Sequence, residues 1–260
     1  MTYNELCIAT NSPLRIGLSI FTFFSNSSEI VFSVNGIEII HESDDDQYTT
    51  FVLPVHVIDV CGNSTGSVAA NFNPEKLHDF LQKDTRSRCK FIAKDGSLWC
   101  ESCTDSKKRS LLGLLYNKTT QFIYPVHRVS SVQIQSGSVK RMLHCMATIS
   151  PVIDIMIFKC NMTWSTESEG GKITFTNTAV VDNLYKFQQI SHTQIHHSYT
   201  SKYFLDLLYV SKKNTYIGFE TFANGQMIIT VPLPLGSYIT HILHENTHVK
   251  HDNLLYFPLT

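Results

Sequence analysis

The chain has 260 residues, of which 43% are apolar and 17% charged, and its net charge is -1. That length supplies one large domain or two ordinary ones with a real core. Near-neutrality excludes a uniformly basic nucleic-acid coat, but not a basic face balanced by acidic surfaces elsewhere. No run of eighteen apolar residues occurs and MTYNELCIAT lacks a basic, then apolar, leader pattern, so neither a membrane-spanning helix nor a signal peptide is expected.

In chain order, Glu5–Thr10 reads as a strand, and Ser12-Pro13 as a cap with proline in the first helical turn. Leu14, Leu18 and Phe21 form the inward face of that helix, with Arg15 pointing elsewhere. Ile30, Phe32 and Val34 alternate, Asn35-Gly36 turns, and Ile37–His41 returns as a second strand. Glu42–Asp46 reads as a solvated acidic loop. Tyr48–Val60 is extended and interrupted at Pro54, which suits an edge or a bend.

Val68–Phe72 is a further strand, and Asn73-Pro74 repeats the cap-and-proline signal. Leu77, Phe80 and Leu81 face inward, while Lys76 and Lys83 do not. Cys89–Ile92, Ser97–Cys103 and Ser110–Tyr116 are strands, the first two joined by the hairpin signal Asp95-Gly96. The segment 118–128 lacks periodicity and contains Pro125, which marks it as a linker.

After it the pattern starts again. Val132 and Ile134 lie on a strand, and Ser136 or Ser138 caps a helix whose apolar face is Val139, Met142, Leu143 and Met146. Ser150-Pro151 ends it, and Ile153, Ile155 and Ile157 alternate along the next strand. Phe204, Leu207 and Leu208 answer Leu77, Phe80 and Leu81. The chain thus reads as an α+β protein of two duplicated domains, 1–117 and 129–246, with a tail at 247–260.

The four helices and their exits carry mostly positive charge: Arg15; Lys76, Lys83, Arg86, Arg88 and Lys90; Lys140 and Arg141; Lys202, Lys212 and Lys213. One charged helix face ordinarily reflects solvation alone. Four of one sign in a slightly acidic chain suit a duplex backbone bound without base preference.

Several segments carry a resemblance to the sliding-clamp family. They are YPVHRVSSVQIQSG at the start of the second half, NGIEIIHESDDDQYTTFVLP in the first-half hairpin, and TYIGFETFANGQMIITVPLPLGSYITHILHE at the end. The resemblance implies the PCNA-like DNA clamp fold, each domain with two helices on antiparallel sheets, and a ring of six domains around duplex DNA. QYTTFVLPVHVIDV, ATISPVIDIMIF and KFQQI are most similar to the Rad-nine-type subunit of the checkpoint clamp. That likeness implies a nuclear heterotrimer with Hus-one-type and Rad-one-type subunits. It also implies an ATP-dependent loader, and recruitment of damage-signalling and repair proteins. Relatives of that type continue into a long Ser/Thr-rich tail, whereas this sequence stops at Thr260.

By the same resemblance, Arg15, Lys76, Lys83, Arg86, Lys140, Arg141 and Lys202 face DNA. Strands 107–116 and 171–180 meet neighbouring subunits through Leu111, Leu114, Ile173 and Phe175; otherwise these are ordinary core positions. Phe122, Ile123 and Pro125 form a partner-peptide pocket or pin the linker to its own sheet. No cofactor or metal is expected. Cys100 and Cys103 have no second CxxC, and His241 and His244 fall on opposite strand faces. Cys7, Cys89, Cys100, Cys145 and Cys160 read as reduced, buried thiols, and the Asn-X-Ser/Thr triplets at Asn26, Asn63, Asn117 and Asn161 as chance matches. No Gly-rich phosphate loop is present, and an enzyme is not expected. A replicative or viral processivity clamp is the alternative reading, and a duplicated-domain hydrolase or nuclease using Asp44 to Asp46 the third.

Overall fold

A computed structural model describes residues 4–24, 27–33, 35–42, 47–59, 67–83, 88–105, 107–117, 125–158, 161–178, 185–189, 194–212 and 215–245. The first half contributes β1 (Asn4–Thr10), α1 (Asn11–Phe24), β2 (Ser28–Ser33), β3 (Gly36–Glu42), β4 (Tyr48–Pro54) and β5 (Ile58–Asp59). It continues with β6 (Val68–Phe72), α2 (Pro74–Gln82), β7 (Arg88–Lys94), β8 (Ser97–Ser102) and β9 (Arg109–Asn117). The second half matches it element for element. Its members are β10 (Arg128–Gln135), α3 (Ser136–Ala147), β11 (Val152–Phe158), β12 (Asn161–Ser168), β13 (Gly171–Thr178) and β14 (Tyr185–Gln189). Then come β15 (Ile195–Thr200), α4 (Ser201–Leu208), β16 (Tyr216–Phe222), β17 (Met227–Pro232) and β18 (Tyr238–Leu243).

Pairing is duplicated as well, and every ladder is antiparallel. β1 lies between β5 and β7 as β10 lies between β14 and β16. β6-β2-β3-β4 has its counterpart in β15-β11-β12-β13, and β7-β8-β9 in β16-β17-β18. Two ladders stand outside the repeat. β6 meets β9 at Ala70↔Leu115 through Val68↔Asn117, joining the two sheets of the first half. β4 meets β18, with Thr49 opposite His241 and Phe51 opposite Ile239, so one sheet of fourteen strands runs through both halves.

The helices pack on this frame by the residues the periodicity picked. Leu14, Leu18 and Phe21 of α1, Leu77 and Leu81 of α2, Val139, Leu143 and Met146 of α3, and Phe204, Leu207 and Leu208 of α4 are all buried. Trp164 anchors the second-half core, edge-to-face against Phe204 at 5.9 Å and Phe219 at 5.3 Å. Gly17 lets α1 approach β4, since a Cβ there would lie 2.4 Å from the Phe51 ring. Asn73 caps α2, its Oδ1 accepting from the Lys76 amide at 3.0 Å. The Asp95-Gly96 hairpin has positive φ at both residues (51° and 72°), the geometry that a two-residue turn requires.

Several expectations need correction. α1 begins at Asn11, one residue before the proposed cap. Gln135, not a serine, occupies the N-cap of α3, and Ser136 sits inside the helix, its Oγ 2.6 Å from that of Ser211. Pro54 marks a bend rather than an edge, because β4 lies between β3 and β18 and gives way to a 3-10 turn at Val55–Val57. Cys145 is exposed, while Cys7, Cys89 and Cys100 are buried. No helix among the described residues is long and apolar enough to cross a membrane.

Candidate nucleic-acid face and edge strands

The helices form one row. α1 packs on α2 and α3 on α4, and the two pairs meet where α1 touches α4, giving the order α2-α1-α4-α3. At that junction the rings of Phe23 and Tyr209 stand edge-to-face at 6.0 Å. Around the row, Lys76, Lys83, Arg141, Lys202 and Lys212 are exposed and Arg15 is half-exposed. Arg15 lies close to α2: His78 has its basicity lowered by burial first, against the opposing pull of Asp79 and with the help of the Arg15 charge.

The helical charge is smaller than sequence alone suggested. Arg88 and Lys90 belong to β7, where Arg88 pairs with Asp59 at 2.6 Å and Lys90 with Glu5 at 2.8 Å. Lys140 is half-buried and donates Nζ–H to the Ser211 carbonyl at 2.6 Å, and burial lowers its pKa. Arg86 and Lys213 lie outside the described residues. Among the described residues, the helices and their exits hold seven cations (Arg15, Lys76, Lys83, Lys140, Arg141, Lys202 and Lys212) against Glu75, Asp79 and Asp206. The rest of the chain then holds 14 basic and 19 acidic residues, so the helical layer is the basic one.

Among the strands with an unpaired side in the described residues are the two that the sequence resemblance singles out. β13 ends the four-stranded sheet and pairs only with β12 among the described residues. β9 pairs with β8 along one side, but its ladder to β6 covers only Leu115 to Asn117, leaving the other side of its first residues open among the described residues. It is therefore a partial edge, not the full one expected. Leu111 and Leu114 on β9 are 50% and 74% exposed. Ile173 and Phe175 on β13 are half-buried. Phe175 also borders an open cleft of about 260 Å³ against α3, lined by Ile134, Val139, Met142, Cys145 and Arg141.

Of the linker residues, Phe122 and Ile123 lie outside the described residues, as do Asp44 to Asp46 and the tail after Glu245. Pro125 is half-buried and Val126 exposed. His241 is buried at the seam with Nδ1 2.6 Å from Thr49 Oγ1, and no group of three His, Cys, Asp or Glu among the described residues is placed to hold a metal ion.

No family model matches the sequence, and no curated protein does. Among solved structures, the chain is similar to a crystal structure of PCNA from Thermococcus kodakaraensis. The TM-score is 0.73 at 13% identity, over 94% of this chain and 100% of that one. The fold is PCNA-like. The α+β architecture, with two helices on antiparallel sheets in each half, is thus the DNA clamp fold that the sequence resemblance implied.

Two features of this clamp fold escaped sequence reasoning. One is the β4–β18 seam, whose partners lie far apart in the chain, as in Thr49 and His241, 192 residues apart. The other is the exposed Phe23–Tyr209 pair, hidden because an aromatic at a helix end reads as core. The duplication was the available signal for the seam, since a repeated module with a joint at one end leaves a matching half-joint at the other.

Proposed function

We propose that this chain is a subunit of a sliding clamp: a ring that encircles duplex DNA, helices inward, and performs no chemistry itself. The observation carrying this reading is the relation between the seam and the free edges. β4 corresponds to β13 in the repeat and β18 corresponds to β9, so the internal β4–β18 joint has its unsatisfied counterpart in β13 and β9. A neighbour supplying β9 to β13 repeats the internal joint between chains, and a head-to-tail contact of this kind closes into a ring when its rotation permits. Leu111, Leu114, Ile173 and Phe175 are its apolar contacts, and strand addition gives its hydrogen bonds.

Arg15, Lys76, Lys83, Arg141 and Lys202, with Arg86, supply a weak, salt-sensitive hold on phosphates, while ring closure supplies retention. Lys140 contributes less, because Ser211 holds it. The segments similar to the Rad-nine type support a finer reading: a nuclear checkpoint clamp completed by Hus-one-type and Rad-one-type subunits. An ATP-driven loader opens it, and damage-signalling and repair proteins bind it, with Phe122, Ile123 and Pro125 in the partner-peptide pocket. Domains 1–117 and 129–246 are its two modules.

Light scattering on the chain alone and with candidate partner subunits tests the assembly. A monomer that forms a 1:1:1 complex through β9 and β13, abolished by Ile173→Asp with Leu114→Asp, supports the reading. A lone homotrimer removes the checkpoint assignment, and a monomer indifferent to both substitutions removes the ring.

A further inference from the structure

The junction of the two helix pairs sets exposed aromatic rings within the basic layer. Phe23 at the end of α1 and Tyr209 at the end of α4 are 60% and 73% exposed, so neither belongs to the core. Their edge-to-face arrangement leaves at least one face of each ring uncovered by the other. Beside them, Ile16, Val210, Thr215, Pro232, Leu233 and Pro234 enclose a cleft of about 170 Å³, with Lys212 as the one charged lining residue among those described. That is below the roughly 300 Å³ at which sites for drug-sized ligands begin, and suits a single ring system.

We infer that the Phe23–Tyr209 pair and the adjoining cleft bind unpaired nucleobases, so that this surface recognises a single-stranded gap or junction within a duplex. The inference deepens the proposed function and rests on its reading of the helix row as the nucleic-acid face. The occupant follows from charge and shape together. Lys212 borders the cleft, and Lys202 lies seven residues before Tyr209, on the same helical stripe. The acid nearest Lys202, Asp206, is half-buried, and its pKa is raised by burial against the opposing pull of Lys202.

An exposed aromatic surface bordered by cations is the arrangement on which single strands stack, each base against a ring and each phosphate against a lysine. Paired bases cannot use it, because their faces are already stacked in the duplex. The α1 hydroxyls near Phe23 are engaged within the helix: that of Ser19 donates to the Ile16 carbonyl and that of Thr22 to the Ser19 carbonyl.

The test uses the full chain, at low ionic strength, with a fluorescent duplex and the same duplex carrying a short thymidine gap. The gapped DNA binds more tightly by roughly tenfold for a single well-stacked base. Phe23→Ala with Tyr209→Ala removes this preference and leaves duplex affinity in place. With 5-iodouracil in the gap, the photo-adduct maps to Tyr209 or Phe23. An unchanged gap preference in the double variant, or adducts elsewhere, overturns the inference. So does a double variant altered only in self-association, which assigns the surface to a second copy of the chain. Lys83→Glu with Arg141→Glu tests the underlying reading separately: unchanged duplex affinity there refutes the helix row as a DNA face, whatever the gap result.

Discussion

Lowering the pH should loosen the seam between the two halves, and His241 is the group responsible. It is 1% exposed on β18, opposite Thr49 of β4, which in turn lies opposite His41 of β3. Burial, reinforced by the His41 charge, lowers the pKa of His241 from 6.5 to about 3. The folded protein therefore keeps this imidazole neutral where the unfolded chain protonates it. Protons bound preferentially by the unfolded state make stability rise with pH, so this contribution is complete above the unfolded value and is lost as pH falls from there toward about 3. Between about pH 7.5 and about pH 5 the loss is roughly 2 kcal/mol, and it reaches about 4 kcal/mol by about pH 3. His241→Asn keeps a polar atom facing the Thr49 hydroxyl but removes the titration. Urea unfolding at both pH values should show the wild type losing about 2 kcal/mol more than the variant, even though the variant starts lower. Parallel pH dependences in the two proteins would refute the assignment of acid sensitivity to the seam.

Gly113 sits where β9 passes from β8 toward β6, and a Cβ there would lie 2.0 Å from the Asn71 carbonyl oxygen. Gly113→Val should push β9 off β6, speed hydrogen exchange at Leu115 to Asn117, and lower stability by about 1–3 kcal/mol as an overpacked site does. Trp164→Ala removes the ring shared by Phe204 and Phe219 and should cost about 3–5 kcal/mol by urea titration, with α4 exchanging earliest. Lys140→Met should leave DNA affinity within about twofold, because a lysine tied to the Ser211 carbonyl contributes little to phosphate binding, whereas Arg141→Glu weakens it about tenfold or more. Anisotropy titrations at matched salt separate these two.

Local signals carried most of the elements. The i, i+3, i+4 spacing of Val139, Met142, Leu143 and Met146 identified the buried face of α3, and Asn73-Pro74 the start of α2. Alternation at Ile153, Ile155 and Ile157 likewise marked β11 as half-buried. Alternation names the buried face of a strand but not its neighbour, which is why the β4–β18 seam and the partial cover of β9 by β6 were invisible. The charge pattern misled for a related reason. Arg88 and Lys90 follow α2 closely in sequence, but the chain has by then turned into β7, where Asp59 and Glu5 neutralise them. Spacing also could not show that Lys140 reaches across to the end of α4, or that Cys145, one residue from the buried Met146, faces outward.

Retention on circular DNA addresses topological enclosure most directly. The chain, assembled with its partner subunits and loaded onto a nicked circle, should resist a high-salt wash and be released when the circle is cut once. Equal release from intact and cut DNA would mean that contact alone, not enclosure, holds the protein there.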